Sequence, residues 1–265
     1  MPTIAINGAQ LHYTDSGGDG DVVLFSHGLL FSSEMYRAQI EHLSSRYRCI
    51  AWDHRGQGRS AVTEAGYDMD SLAEDAAALI RALGIAPVHF VGLSMGGFVG
   101  MRLAARHGEL LRSLTLLDTS AEPEPNARAY RKLVFFTRWL GPWAVADKVM
   151  PILFGQSFLR DPARAALRRY WRNHIRNNDR WGMVRSSLGV IERKGVRDEL
   201  ARISTPTLVV VGEEDVATAP EESERIAAAI PGARLERLPG TGHMSAIENP
   251  DRVNALLDAF LAHPA

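Results

Sequence analysis

Val88-His89-Phe90-Val91-Gly92-Leu93-Ser94-Met95-Gly96-Gly97 reads as an apolar strand that runs straight into a small-residue helix start. Gly92-Leu93-Ser94-Met95-Gly96 therefore fits G-x-S-x-G in the strand–turn–helix context that the pattern requires. The glycines have a physical role. A serine on so sharp a turn sits in strained backbone, and the residues two before and two after it must lack bulk for neighbouring chain to approach. Ser94 Oγ is then exposed at the carboxyl end of a sheet, where α/β folds place their ligands. The amides that follow open a helix and favour developing negative charge. These features make Ser94 a candidate nucleophile.

On either side of this segment, short apolar runs rich in β-branched residues recur at Val22–Phe25, Arg48–Trp52, Leu114–Leu117 and Thr207–Val211. Helix-period stretches lie between several of them, as at Ser71–Leu83 and Met95–Arg106. Such alternation predicts an α/β fold, with a mostly parallel sheet covered by helices on both faces. Thr3–Ile6 and Leu11–Thr14 flank Asn7-Gly8, a strong hairpin signal, so an antiparallel hairpin leads into the sheet. The alternation breaks between about Ser120 and Arg202. Five prolines punctuate helical patterns there, no strand is convincing, and four of the five tryptophans occur: Trp139, Trp143, Trp171 and Trp181. Its Leu and aromatic content is too high for a solvated linker, so residues 121–202 are expected to be a helical insertion into a core formed by residues 1–120 and 203–265.

A serine hydroxyl needs a base from elsewhere in the chain. Of nine histidines, His243 lies in the Gly-rich loop Gly240-Thr241-Gly242-His243-Met244-Ser245, after the strand-like Arg234–Leu238 and before the terminal helix Arg252–Leu261. A loop at a strand end can deliver an imidazole to the site. His243 also completes the chain order Ser, acid, His. Two carboxylates end strands: Asp118 after Leu114–Leu117, and Asp215 after Thr207–Val211. Asp215 is preferred, with Asp118 read as a turn or cap residue, and Glu213 and Glu214 as solvated. Ser26-His27-Gly28-Leu29-Leu30 closes Val22–Phe25 at the same sheet edge, so the Leu29 and Met95 amides are the expected oxyanion donors, with the His27 ring holding the loop.

Over nearly the whole chain, these residues resemble the α/β-hydrolase superfamily. Asp53-His54-Arg55-Gly56-Gln57-Gly58-Arg59-Ser60 looks like its D-x-R-G-x-G-x-S loop, and Pro231, Gly242, His243 and Pro250 fall in its C-terminal pattern. Serine at position 94 departs from the haloalkane dehalogenases and soluble epoxide hydrolases, which use Asp there. The sequence is most similar to the carboxylesterase and 3-oxoadipate enol-lactonase-like group. That resemblance implies a mostly parallel eight-stranded sheet, hydrolysis of small esters or lactones without a cofactor, and a helical lid at residues 121–202. Perhydrolases of this fold usually carry Pro where Leu30 stands, which weighs against perhydrolysis. The same triad would also serve a C–C bond hydrolase, and the same fold a non-turnover small-molecule receptor.

The 265 residues are 46% hydrophobic and 23% charged, which excludes a disordered or low-complexity chain. A net charge of −1 argues against nucleic acid as main partner. The single cysteine, Cys49, excludes an intrachain disulfide and a cysteine metal site, and is expected buried in a strand. No metal is expected. Neither a secretory leader nor a run of roughly 18 to 20 apolar residues is evident, so the expectation is a cytoplasmic protein with no membrane partner and a small-molecule substrate. The near-neutral total hides an asymmetry. Residues 121–200 hold sixteen Lys or Arg against eight acids, about +8, which leaves about −9 for the remainder. Such an insertion would steer a carboxylate-bearing lactone to the site, although ordinary solvated helix faces give the same charge. Phe31, Trp139, Trp143 and Trp181 are the candidate lining of an apolar pocket.

Overall fold

The computed structural model describes residues 2–264; Met1 and Ala265, the two ends of the expected core, lie outside the described residues. The chain opens with β1 (Thr3–Ile6) and β2 (Ala9–Asp15), joined at Asn7 and Gly8. Both turn residues have positive φ, 45° and 77°, which is the two-residue hairpin turn that Asn-Gly specifies. Next come β3 (Val22–Ser26), α1 (Arg37–Leu43), β4 (Arg48–Trp52), α2 (Met69–Leu83), β5 (Val88–Leu93), α3 (Met95–Arg106) and β6 (Leu111–Leu117). Five helices follow without a strand: α4 (Ala127–Leu140), α5 (Trp143–Leu153), α6 (Gln156–Arg160), α7 (Ala165–Arg176) and α8 (Arg180–Ile191). The chain ends with β7 (Thr207–Gly212), α9 (Pro220–Ala229), β8 (Arg234–Leu238), α10 (Ser245–Glu248) and α11 (Pro250–Ala262).

The eight strands form one sheet in the order β1-β2-β4-β3-β5-β6-β7-β8. β1, β2 and β4 pair antiparallel, and every pairing from β4 through β8 is parallel. Because side chains alternate along a strand, the central strands feed two separate apolar layers. Leu24, Ile50, Phe90, Leu114 and Val209 face α2, α3 and α9. Val23, Phe25, Cys49, Val91 and Val210 face the layer of α1 and α11. That second layer continues through Val145, Phe154, Trp171, Ile175 and Met183, so the helices between β6 and β7 are packed onto the same core. Cys49 is buried in β4, and burial pushes its thiol up to about 12.

The order of strands places β5 at the centre with β3 and β6 on its flanks. The carboxyl ends of β3, β5, β6 and β7 therefore deliver Ser26, Leu93, Leu117 and Gly212 to one edge of the sheet. A ligand crevice at that edge is what an open parallel sheet provides.

Candidate active site

Between β5 and α3 the chain turns in a single residue, Ser94, at φ 52° and ψ −111°. A side chain in that region costs on the order of 1–3 kcal/mol, so the surrounding structure must impose it. The Ser94 N–H donates to Leu117 O at 2.9 Å, and Ser94 O accepts from Phe98 N at 3.0 Å and from Thr119 Oγ1 at 2.8 Å. The flanking glycines are required by contact rather than by flexibility. A Cβ on Gly92 would lie 2.3 Å from Gly96 O, and one on Gly96 would lie 2.0 Å from Ser26 O.

Ser94 and His243 line the same cavity, about 850 Å³ including its mouth. The His243 ring is buried, and its Nδ1 donates to Asp215 Oδ2 at 2.8 Å. Asp215 is oriented in turn: its Oδ1 accepts from the Ala217 and Thr218 amides at 2.8 and 3.0 Å, and the Thr218 hydroxyl donates to Oδ2 at 2.9 Å. With Nδ1 committed to the carboxylate, a neutral His243 leaves Nε2 as the acceptor. Burial alone would push the His243 pKa down, but the charge and hydrogen bond of Asp215 outweigh it and leave the imidazole above its ordinary 6.5. Nothing in the sequence reading singled out Thr218; the Asp215-Val216-Ala217-Thr218 turn carries its signal, an aspartate capped by a hydroxyl three residues on.

Asp118 lies in the same buried cluster with a different role. Its Oδ1 accepts from Gly212 N at 2.8 Å and its Oδ2 from Ser245 N at 3.3 Å, so it braces the loop that carries Asp215 against the loop that carries His243. Burial, reinforced by the charge of Asp215, raises its carboxyl well above the carboxylate range. A second brace was not legible in sequence. Glu248 accepts from Gly242 N at 3.0 Å, Met244 N at 3.1 Å and Gly155 N at 3.1 Å, joining the His243 loop to the segment between α5 and α6. Burial raises it to about 6 despite those three donors. Glu214 is not simply solvated either: its Oε2 accepts from Ser157 N at 2.8 Å, and the Ser157 hydroxyl donates to its Oε1.

The Leu29 side of the cavity is held without engaging the Leu29 amide. His27 Nδ1 donates to Gly28 O at 2.8 Å while its Nε2 accepts from His54 N at 2.9 Å, so burial keeps this imidazole neutral, below its ordinary pKa, and bonded at both nitrogens. Gln57 Oε1 accepts from the Leu30 amide at 2.8 Å, and Gln57 Nε2 approaches Met95 Sδ at 3.6 Å. Met95 opens α3 and has no intrahelical acceptor for its N–H. Among the described residues, neither the Leu29 nor the Met95 amide has a hydrogen-bond partner. Asp53 anchors the following loop through Ser33 N at 2.7 Å and Arg59 N at 2.8 Å, and a Cβ on Gly58 would lie 2.3 Å from its carboxylate.

A second Ser–His pair, Ser26 Oγ with His54 Nε2 at 2.8 Å, is fully buried and does not line the cavity. Among the described residues His54 Nδ1 has no hydrogen-bond partner, and burial holds the ring well below its usual pKa. It joins β3 to the Asp53 loop.

The aromatic lining expected from sequence is not where the structure places those rings. Phe31 is buried in the core, 5.3 Å from Trp171 and 6.3 Å from Phe154 between ring centroids. Trp139, Trp143 and Trp181 face outward, 65%, 59% and 46% exposed. The wall is mainly aliphatic instead, with Leu133 and Val134 of α4, Val145, Val149 and Leu153 of α5 and Val190 of α8, and its aromatic members are Phe98 and Tyr130. For Trp139, helical period explains the difference. Tyr130, Leu133, Val134 and Thr137 share the inner face of α4, and Phe135, Phe136 and Trp139 share the outer one. No Lys or Arg lines the cavity. Its one carboxylate, Glu124, is buried in an ion pair with Arg193 at 2.7 Å. Among the described residues there is no cluster of metal-ligating side chains, and no helix is long and apolar enough to cross a membrane.

Comparisons with known proteins agree with this fold. The alpha/beta hydrolase fold family matches residues 21–250. The putative carbamate hydrolase RutD of Pseudomonas syringae pv. syringae is 31% identical over 250 residues, 92% of this chain and 95% of that protein. A thermophilic esterase from Thermogutta terrifontis superposes with a TM-score of 0.90 at 33% identity, covering 99% of this chain and 97% of its own. The enol-lactonase from Burkholderia xenovorans LB400 superposes with a TM-score of 0.93 at 30% identity, covering 99% and 100%.

Proposed function

The chain belongs to the alpha/beta hydrolase fold family, and on that premise we propose that it is a serine hydrolase that cleaves carboxylic esters or lactones through an acyl-enzyme. The observation that carries this reading is the Asp215–His243 hydrogen bond of 2.8 Å beside a cavity that also exposes the strained Ser94. Ser94 Oγ attacks the carbonyl carbon as His243 Nε2 takes its proton. Asp215 holds the tautomer that presents Nε2 and stabilises the imidazolium. The carbonyl electron pair moves to oxygen, where the Leu29 and Met95 amides receive it. His243 then returns the proton to the departing alcohol, and water, deprotonated by the same imidazole, releases the acid and restores Ser94. Each oxyanion donor of this kind supplies about 3–4 kcal/mol of barrier reduction.

In this reading residues 121–202 are the lid, contributing the aliphatic wall that receives the acyl group. The predominantly apolar lining, with no Lys or Arg, favours apolar acyl groups over carboxylate-bearing lactones. Leu30 supports hydrolysis over perhydrolysis: its φ of 72° is closed to proline, whose ring fixes φ near −65°, and its N–H is bonded to Gln57.

A substrate panel tests the assignment: short and long p-nitrophenyl esters, acyl-homoserine and enol lactones, a carbamate and a vinylogous diketone. The expected outcome is turnover of apolar esters or lactones with the highest kcat/KM. Preference for the diketone would replace this reading with a C–C bond hydrolase, and no turnover of any member would favour a receptor.

A further inference from the structure

We propose that the outer face of α4, together with the starts of α5 and α8, docks on an anionic lipid surface, and that the enzyme's substrate is an acyl ester carried in that surface. The second half rests on the serine-hydrolase reading; the docking does not.

Seven of the nine large apolar side chains exposed among the described residues belong to the segment from α4 to α8, six of them at Phe135, Phe136, Trp139, Leu140, Trp143 and Trp181. They are neighbours in space as well as in sequence. The Phe135 ring lies 5.9 Å from Phe136 and 6.4 Å from Trp139. Gly141 bridges to the next group, since a Cβ there would lie 3.3 Å from Trp143 and 3.6 Å from Arg180. A soluble protein has no folding reason to collect exposed Trp and Phe in one patch, and such a patch marks a contact surface.

Cations are interleaved with the rings. Arg138 lies 5.7 Å over the Trp181 ring and Lys148 4.8 Å over Phe136. Among the described residues, Lys132, Arg138, Lys148 and Arg180 have no carboxylate within ion-pair distance, whereas Arg131, Arg172, Arg185 and Arg193 all do. Ten of the sixteen Lys and Arg of the insertion lack such a partner among the described residues, and Arg138, Lys148 and Arg180 of these stand directly against the patch. Tryptophan and phenylalanine bounded by arginine and lysine form the pattern that seats at the headgroup boundary of an anionic bilayer. Charge also selects the occupant: a second copy meeting the patch by twofold symmetry would oppose two cationic faces, and an anionic lipid surface neutralises one.

The opposite side of α4 lines the cavity through Tyr130, Leu133, Val134 and Thr137. One helix thus carries the docking surface on its outer face and the acyl-chain wall on its inner face, which joins the docking site to the substrate class. This proposal departs from the expectation of no membrane partner, which rested on the lack of a secretory leader and of a spanning run and did not consider surface docking.

The test uses the full chain in sedimentation with phosphatidylglycerol and with phosphatidylcholine vesicles. Partitioning onto phosphatidylglycerol should exceed that onto phosphatidylcholine by about tenfold or more and fall in about 0.5 M salt. Trp139→Ser/Trp143→Ser and Arg138→Glu/Arg180→Glu should each lose that preference while turning over soluble p-nitrophenyl butyrate at the native rate. Ser94→Ala should bind vesicles as the native protein does, so docking is read independently of catalysis. Equal binding to both vesicles, unaltered binding by both variants, or a dimer that only Trp139→Ser/Trp143→Ser abolishes would overturn the docking. A long-chain acyl ester should be cleaved faster in phosphatidylglycerol than in phosphatidylcholine vesicles; equal rates despite docking would overturn the substrate class.

Discussion

His243 is held between two opposing effects, burial that disfavours its charge and the Asp215 carboxylate that favours it, and the second prevails. A general base works in its neutral form, so kcat/KM should rise with pH through a midpoint above the unperturbed 6.5. Asp215→Asn removes the favouring charge and the tautomer lock together. It should lower the midpoint and reduce kcat by on the order of 10³–10⁴. The same shift has a stability consequence. Since the folded pKa lies above the unfolded one, the charge on His243 contributes stability in full below about pH 6.5, and that contribution is lost as pH rises through the folded value. Asp118 should behave in the opposite way to Asp215. Burial and the charge of Asp215 raise its carboxyl well above the carboxylate range, so its charge is disfavoured, and Asp118→Asn keeps an acceptor for Gly212 N. We expect a loss in kcat of less than about tenfold for Asp118→Asn, measured beside Asp215→Asn under the same conditions. Reversal of that order would transfer the acid role to Asp118.

At the scale of elements, the close approach of α3 to β3 is what lifts Ser94 into the cavity. Gly96→Ala places a methyl group 2.0 Å from the Ser26 carbonyl, a backbone atom that cannot rotate away. Denaturant titration should show a loss of about 3 kcal/mol or more. The strand–turn–helix around Ser94 and the Asn7-Gly8 hairpin were legible because each depends on residues adjacent in sequence. The ranges of β4, β8 and α3 agree with the sequence-based expectation residue for residue, and β3 and β7 extend it by one residue each. The braces were not legible, because Glu248 and Gly155 are 93 positions apart and Asp118 and Ser245 are 127. Of the four aromatic candidates, Trp139 lies on α4, where helical period decides which side faces the cavity; that period is legible in the sequence and points to Leu133, Val134 and Thr137.

Across the whole molecule, the net charge of −1 conceals a division of labour between an acidic sheet and its helices and a basic helical layer over the carboxyl edge. The cavity between them is uncharged apart from His243 and the paired Glu124, so charge acts on the outside and apolar contact within. The chemistry proposed for the cavity depends on Ser94 acting as a nucleophile activated by His243. The most direct measurement is intact-mass and peptide analysis of the folded protein after exposure to a fluorophosphonate. One adduct on Ser94 is expected, absent in Ser94→Ala and slowed in His243→Ala, with Ser94→Ala retaining the native circular dichroism and losing p-nitrophenyl ester turnover by on the order of 10⁴ or more. An unlabelled Ser94 in folded protein, or native turnover in Ser94→Ala, would contradict it.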